Sequence, residues 1–341
     1  MTPLLEVRDL SLSVQTDAGT ARILDHVDFA IESGEIFGVV GESGCGKSTL
    51  IRAVLGLPPK DAVIDSGRIL FRGEDLLGMS AARAARRIRG RAIGFIPQDP
   101  YQSFNPTFTV GKQMLEILRW SGLPEDPEGT RWTRATRARH RARLIEVLHA
   151  VQIADPEEAL TRYPHQFSGG QRQRILIAGA LAARPALLLA DEPTTALDVT
   201  TQMQILKLLR DLAAEFDVSL MFVTHDFGAV AQLCDRVSVM YAGQTVETGT
   251  ASQIINAPRH PYTERLIGCH PDRSGALTGI AGQVSSPIDP PAGCRFHPRC
   301  ELAEACCSAS RPPLQGVKGA HRVACVVRSP HAAPRPIGAA P

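Results

Sequence analysis

Short apolar runs separated by charged, helix-like stretches recur through roughly the first 260 residues. Ile36-Phe37-Gly38-Val39-Val40 has no polar position, and residues 93–96, 187–190, 220–223 and 237–241 largely repeat that pattern. Strands without strict polar alternation are covered on both faces. The helical stretches between them then serve as crossovers of a largely parallel sheet, an α/β arrangement. Residues 4–32 read differently. Two alternating stretches flank Thr16-Asp17-Ala18-Gly19, which predicts an antiparallel hairpin region. Residues 110–180 read mainly as helix. After about Ser274, Gly, Ala, Pro and Ser dominate and periodicity fades. The shift sets a boundary between residues 265 and 285, dividing the chain into 1–265, 266–330 and an expected disordered tail, 331–341.

Composition alters this picture little. The apolar fraction is 44%, the charged fraction 21% and the net charge +2, values ordinary for a soluble globular chain. So balanced a charge gives no bulk electrostatic ground for nucleic-acid binding. A length of 341 residues suits about two domains. The most apolar candidate span, residues 180–190, is broken by Arg184 and Pro185, so no transmembrane helix is expected. Glu6, Arg8 and Asp9 stand where a signal peptide needs an apolar stretch. A cytosolic chain is expected, and any work at a membrane then needs a partner that spans it. Arg131, Arg134, Arg137, Arg139, Arg141 and Arg143 read as a solvated helix face. Contact with acidic lipid or a partner loop is the alternative. Arg83, Arg86, Arg87, Arg89 and Arg91 read the same way.

The chemistry begins at Gly41-Glu42-Ser43-Gly44-Cys45-Gly46-Lys47-Ser48-Thr49. This stretch follows a predicted strand and precedes a predicted helix. That context makes GxxxxGKS/T a phosphate cradle rather than a glycine-rich turn. Glycines let backbone N–H groups turn inward toward phosphate oxygens, and the helix N-terminus adds partial positive charge. Lys47 is expected to reach the β- and γ-phosphates, and the Ser48 hydroxyl to ligate Mg2+. Further on, an apolar strand ends in Asp191-Glu192. Such strand ends open onto the ligand crevice of an α/β sheet. Asp191 suits Mg2+, directly or through water, and Glu192 suits polarising the attacking water. Without the cradle, the two carboxylates would read as a cap for the next helix.

Phe167-Ser168-Gly169-Gly170-Gln171 resembles the LSGGQ signature of ABC ATPases, with Phe where Leu is commoner. The resemblance implies a P-loop NTPase fold of ABC type. It has an antiparallel β flank, a helical subdomain carrying the signature and, here, a small C-terminal Cys-containing extension. It implies that Ser168, Gly169, Gly170 and Gln171 contact the γ-phosphate of ATP bound by the opposite subunit. Gln98 looks like the Q-loop glutamine, which senses Mg2+ and the attacking water and faces the membrane partner. Asp198, in Ala196-Leu197-Asp198, looks like the D-loop, which crosses the dimer interface. His225 looks like the switch histidine that contacts the γ-phosphate and orients the catalytic carboxylate. One departure stands out: residues 15–24 hold no aromatic to stack on adenine, which leaves Arg22 or Ile23 for that place.

A narrower resemblance covers most of the chain. Gln98-Asp99-Pro100 with Ser103-Phe104-Asn105-Pro106, Arg259-His260-Pro261-Tyr262-Thr263 and Gly293-Cys294-Arg295-Phe296-His297-Pro298-Arg299-Cys300 are similar to oligopeptide, dipeptide and nickel importers. This implies an ATPase at the cytoplasmic face of the membrane. Its partners would be two transmembrane permeases, a second ATPase subunit and an extracytoplasmic binding protein, with no nucleic acid. The cargo stays open among peptides, nickel and other small solutes. ABC ATPases that act on ribosomes or DNA typically carry two cassettes or large insertions, whereas this chain has one P-loop and one signature. Five of the eight cysteines crowd between Cys294 and Cys325. In some relatives such cysteines hold an iron–sulfur cluster, and the matching positions are Cys294, Cys300, Cys307 and Cys325. Four thiolates suit a 4Fe-4S cluster. Zinc and free thiols stay open as alternatives, and Cys306 competes with Cys307 for the third position.

Overall fold

The computed structural model describes residues 2–126, 131–269 and 279–328. Strands β1 (Leu5–Thr16) and β2 (Gly19–Ile31) form the expected hairpin. Leu5, Leu10, Leu12, Leu24, Val27 and Ile31 are fully buried there. Strand β3 (Ile36–Val40) is buried at every position, and helix α1 (Lys47–Val54) follows the glycine-rich loop. Strands β4 (Ala62–Phe71) and β5 (Glu74–Asp75) complete an antiparallel sheet in the order β2-β1-β4-β5. Helix α2 (Ala81–Arg87) and strand β6 (Ile93–Ile96) lead into a helical region. That region comprises α3 (Val110–Ser121), α4 (Arg134–Ala150), α5 (Pro156–Ala159) and α6 (Gly169–Leu181). Strand β7 (Leu187–Asp191), helix α7 (Val199–Glu215), strand β8 (Ser219–Thr224), helix α8 (Phe227–Leu233) and strand β9 (Arg236–Tyr241) return to the sheet.

Strand β10 (Gln244–Thr250) then turns back antiparallel on β9. Helices α9 (Ala251–Asn256) and α10 (Pro261–Gly268) follow, then α11 (Ala305–Ala309), β11 (Gln315–Lys318) and β12 (His321–Val323). The main sheet runs β11-β12-β10-β9-β3-β8-β7-β6, parallel from β9 through β6. Its register positions the site. Val40 lies opposite Thr224, and Asp191 opposite Val223. The residues that follow, Gly41, Glu192 and His225, therefore emerge from neighbouring strand ends.

Two features differ from the sequence reading. Arg143 is not on a solvated face. It is buried, donates to the Ala182 and Leu181 carbonyls at 3.1 Å each, and lies 5.2 Å over the Phe216 ring. His140 is buried as well, bonded to Asp126 Oδ2 at 2.6 Å. The compositionally biased C-terminal stretch also contributes to the main sheet, because β12 pairs with β10 through Glu247 and Val323. Buried Glu247 bonds His321 Nε2 at 2.7 Å and accepts the Arg259 and His260 N–H groups at 2.6 and 2.9 Å. The expected tail, 331–341, lies outside the described residues. Among the described residues no helix is long and apolar enough to cross a membrane.

Candidate active site

The loop after β3 closes on its own lysine. Lys47 Nζ donates to the Gly41 carbonyl at 2.7 Å and the Glu42 carbonyl at 3.1 Å, and the side chain is almost fully buried. Two glycines are dictated by space. A Cβ at Gly41 would fall 2.2 Å from the Met240 carbonyl oxygen. Gly46 has φ 104° and its Cβ would lie 2.8 Å from the Ile23 carbonyl oxygen. Ser43 and Gly44 are exposed at the loop tip, and Ser48 and Thr49 are half-buried in the first turn of α1. Cys45 is buried against this loop, and its burial pushes the thiol pKa up.

Ser48 Oγ donates to Asp191 Oδ1 at 3.1 Å. A hydroxyl and a carboxylate side by side are the hard oxygen donors that Mg2+ takes. Burial pushes the Asp191 carboxyl up, with the Ser48 hydrogen bond acting against it. Glu192 adopts a left-handed backbone, φ 46°, which marks local strain at the strand end. Its Oε2 bonds His225 Nδ1 at 3.1 Å, accepts from Thr195 Oγ1 at 3.0 Å and lies 3.4 Å from Gln98 Nε2. Its Oε1 lies 3.8 Å from Lys47 Nζ. The His225 bond, the largest influence, holds the Glu192 carboxyl below its ordinary value despite burial, and the same bond raises His225. Lys47, Ser48, Gln98, Asp191, Glu192 and His225 thus form one cluster.

Ser168 and Asp198 occupy helix starts. Ser168 caps α6 in a reciprocal pair, with Gln171 N donating to Ser168 Oγ at 3.3 Å and Ser168 N to Gln171 Oε1 at 3.0 Å. A Cβ at Gly169 would meet Tyr101 Oη, and one at Gly170 would meet Thr201 Cγ2, each at 2.8 Å. Asp198 caps α7 by accepting Thr201 N at 2.9 Å. Beside it Val199 is 77% exposed and Met203 46% exposed.

The sequence reading assigned no role to Thr195, Tyr262 or Arg299. Thr195 was legible in principle as a hydroxyl three residues past Glu192. Tyr262 Oη accepts the Glu42 N–H at 2.9 Å, and Arg299 Nη1 and Nη2 bond the Glu42 carboxylate at 2.9 and 3.1 Å. Their sequence motifs were visible, but a contact across hundreds of residues was not. Arg22, one of the two residues offered for stacking on adenine, donates its N–H to the Pro287 carbonyl at 2.8 Å, and its side chain is largely exposed.

Two cavities lie outside this cluster. A groove of about 770 Å³ runs between β6 and α3, lined by Leu57, Phe95, Phe104, Phe108, Ile117 and Trp120 among others. Trp120 is 77% exposed. Separately, Cys294, Cys300, Cys307 and Cys325 line one small cavity with His260 and Phe296, while Cys306 is exposed. Burial foremost, with the neighbouring thiols adding to it, pushes Cys294 up to about 11. All eight cysteines are free thiols, and among the described residues no three or more His, Cys, Asp or Glu side chains converge on a single metal-ion position.

Comparison with known proteins matches residues 24–195 to the ABC transporter family and residues 246–307 to the oligopeptide/dipeptide transporter C-terminal region. The chain is 44% identical to a probable peptide ABC transporter ATP-binding protein, y4tR, of Sinorhizobium fredii, over 94% of each chain. It is also 44% identical to the oligopeptide transport ATP-binding protein OppD of Bacillus subtilis, over 95% of this chain and 88% of OppD. The dipeptide transport ATP-binding protein DppD of the same organism matches at 44%, over 95% of each chain. Among solved structures, the dimeric ATP-binding cassette MJ0796 in a post-hydrolysis state with ADP and Pi is 26% identical. It superposes with a TM-score of 0.61, covering 72% of this chain and 98% of that one. The chain belongs to the ABC transporter ATP-binding proteins, in the branch that carries the oligopeptide/dipeptide C-terminal region. It is an ATPase subunit, and Ser48 with Asp191 supplies donors that fit the magnesium of its nucleotide.

Proposed function

We propose that this chain energises import of di- and oligopeptides through an ABC transporter, from the cytoplasmic face of the cell membrane. The observation that carries the reading is the single cluster of Lys47, Ser48, Asp191, Glu192 and His225, in a chain that aligns over 94% and 95% of its length with two peptide-transport ATP-binding proteins. Backbone N–H groups of residues 41–49 and Lys47 hold the triphosphate. Magnesium, when bound, neutralises phosphate charge. Glu192 aligns or takes the proton of the attacking water, and His225 holds that carboxylate ionised and oriented. Gln98 lies 3.4 Å from this carboxylate and follows Pro97, which lines the surface groove. Ser168, Gly169, Gly170 and Gln171 serve the ATP of a second ATPase subunit, with Asp198 at the seam. The exposed Val199 and Met203 beside Asp198 support burial there by a partner cassette. The groove lined by Phe108, Ile117 and Trp120 is suited to a permease segment, with a substrate-binding protein on the far side of the membrane.

We also assign residues 1–265 to the ATPase domain, 266–330 to the transporter-type extension and 331–341 to a tail. Cys294, Cys300, Cys307 and Cys325 are the thiols that would hold a 4Fe-4S cluster. Four thiols on one cavity suit it as a donor set. A lone zinc needs its sulfurs converged to about 3.8 Å of one another, from Zn–S bonds near 2.3 Å. The test of the transport reading is gentle solubilisation of membranes from cells carrying a tagged chain. Two multispan permeases, a second ATPase and a peptide-binding protein in the purified complex support it. Ribosomal or DNA-repair partners without any membrane protein refute it.

A further inference from the structure

The second residue of the phosphate cradle, Glu42, is an acid in a loop that must hold a triphosphate. It is fixed at three points. Its N–H donates to Tyr262 Oη at 2.9 Å, its carbonyl accepts Lys47 Nζ at 3.1 Å, and both carboxylate oxygens pair with Arg299. Arg299 stands 257 positions further along the chain, within the Cys294 to Cys300 loop. Its side chain is only 4% exposed. Arg299 Nε and Nη2 also donate to the Ala281 and Ile280 carbonyls at 3.0 Å, and the guanidinium lies over the Tyr241 and Phe296 rings. A guanidinium held by so many partners cannot swing away, so the carboxylate it grips is held too.

We propose that Arg299 is a positioning residue of the ATP site: it neutralises Glu42 and fixes the start of the cradle, making ATP affinity depend on the C-terminal extension. Two negative groups in one small loop repel unless one is compensated, and water is too scarce at a half-buried carboxylate to screen it fully. The forked guanidinium meets both carboxylate oxygens, which an ammonium cannot do. The inference rests on reading residues 41–49 as a triphosphate cradle, and it concerns Arg299 alone, whatever the four cysteines hold.

The test is MgATP affinity of the full-length chain, read by displacement of a fluorescent ATP analogue, together with KM and kcat. Arg299→Ala is expected to weaken binding about tenfold, raising KM by the same factor while kcat changes less than about threefold. Arg299→Lys is expected to lose about threefold. Adding Glu42→Gln to Arg299→Ala is expected to restore affinity to within about threefold of wild type, because the charge needing compensation is gone. Should Arg299→Ala not fold, Arg299→Lys with and without Glu42→Gln gives the same comparison. Unchanged affinity in Arg299→Ala overturns the inference, and so does a loss that Glu42→Gln leaves in place, which would assign Arg299 to packing alone. A wild-type chain that binds no MgATP overturns the cradle reading itself.

Discussion

Replacing Glu192 by Gln changes the site by one oxygen for one NH2 group while keeping its shape. The Thr195 hydroxyl, 3.0 Å from Glu192 Oε2, retains a carbonyl acceptor, and Lys47 keeps its bonds to the Gly41 and Glu42 carbonyls. What disappears is the negative charge that His225 holds ionised from 3.1 Å. An amide cannot take a proton from water. A positioned general base contributes about 10²- to 10⁴-fold, so the barrier should rise by about 3 to 5 kcal/mol. Removing a carboxylate from beside the triphosphate leaves ATP binding intact or stronger. The assay is phosphate release at saturating MgATP, paired with size-exclusion chromatography to detect a cassette pair held together by unhydrolysed ATP. A turnover within threefold of wild type would refute the role of Glu192, and so would a hundredfold loss of ATP affinity.

Three further outcomes follow from particular contacts. Arg143→Ala should destabilise the chain by about 3 kcal/mol in urea unfolding, because the Leu181 and Ala182 carbonyls lose their buried charged donor; a change under about 0.5 kcal/mol would return Arg143 to the solvated face. Asp126 sits buried yet has its carboxyl held below the ordinary 3.8, because the Leu123 N–H, His140 and Arg139 together outweigh desolvation. A depressed folded-state value stabilises above 3.8 and is lost as pH falls through the folded value, so Asp126→Asn should flatten stability against pH below about 4; an unaltered acid limb contradicts this. Anaerobically purified chain should carry about four irons and four sulfides, lost on replacing Cys294 or Cys325 by Ser, whereas colourless, iron-free, folded protein removes the cluster.

The parts of the fold legible in sequence were those whose signal is local. β3 and β7–β9 stood out because strands covered on both faces carry mostly apolar residues, and β6 showed the same pattern although its Phe95 is exposed in the groove. β10 did not, since Gln244, Thr245, Glu247 and Thr248 are polar yet buried. Their burial is made tolerable by partners far along the chain, such as His321 for Glu247. Arg143 was misread for the same reason: helix periodicity cannot show that two carbonyls 38 and 39 residues away need a donor. The active-site cluster was legible because each motif is contiguous and the parallel register brings strand ends together. The grip of Tyr262 and Arg299 on Glu42 was hidden, because it crosses from one end of the chain to the other.

The central claim is that ATP hydrolysis by this chain drives peptide inward. The direct measurement uses proteoliposomes holding the purified transporter complex, with MgATP inside and the peptide-loaded binding protein outside. The account predicts labelled peptide accumulating in the lumen with wild-type chain, and none above the ATP-free level when Glu192 is replaced by Gln. Accumulation at the wild-type rate with the Gln variant, or none with the wild type while ATP is hydrolysed, would contradict it.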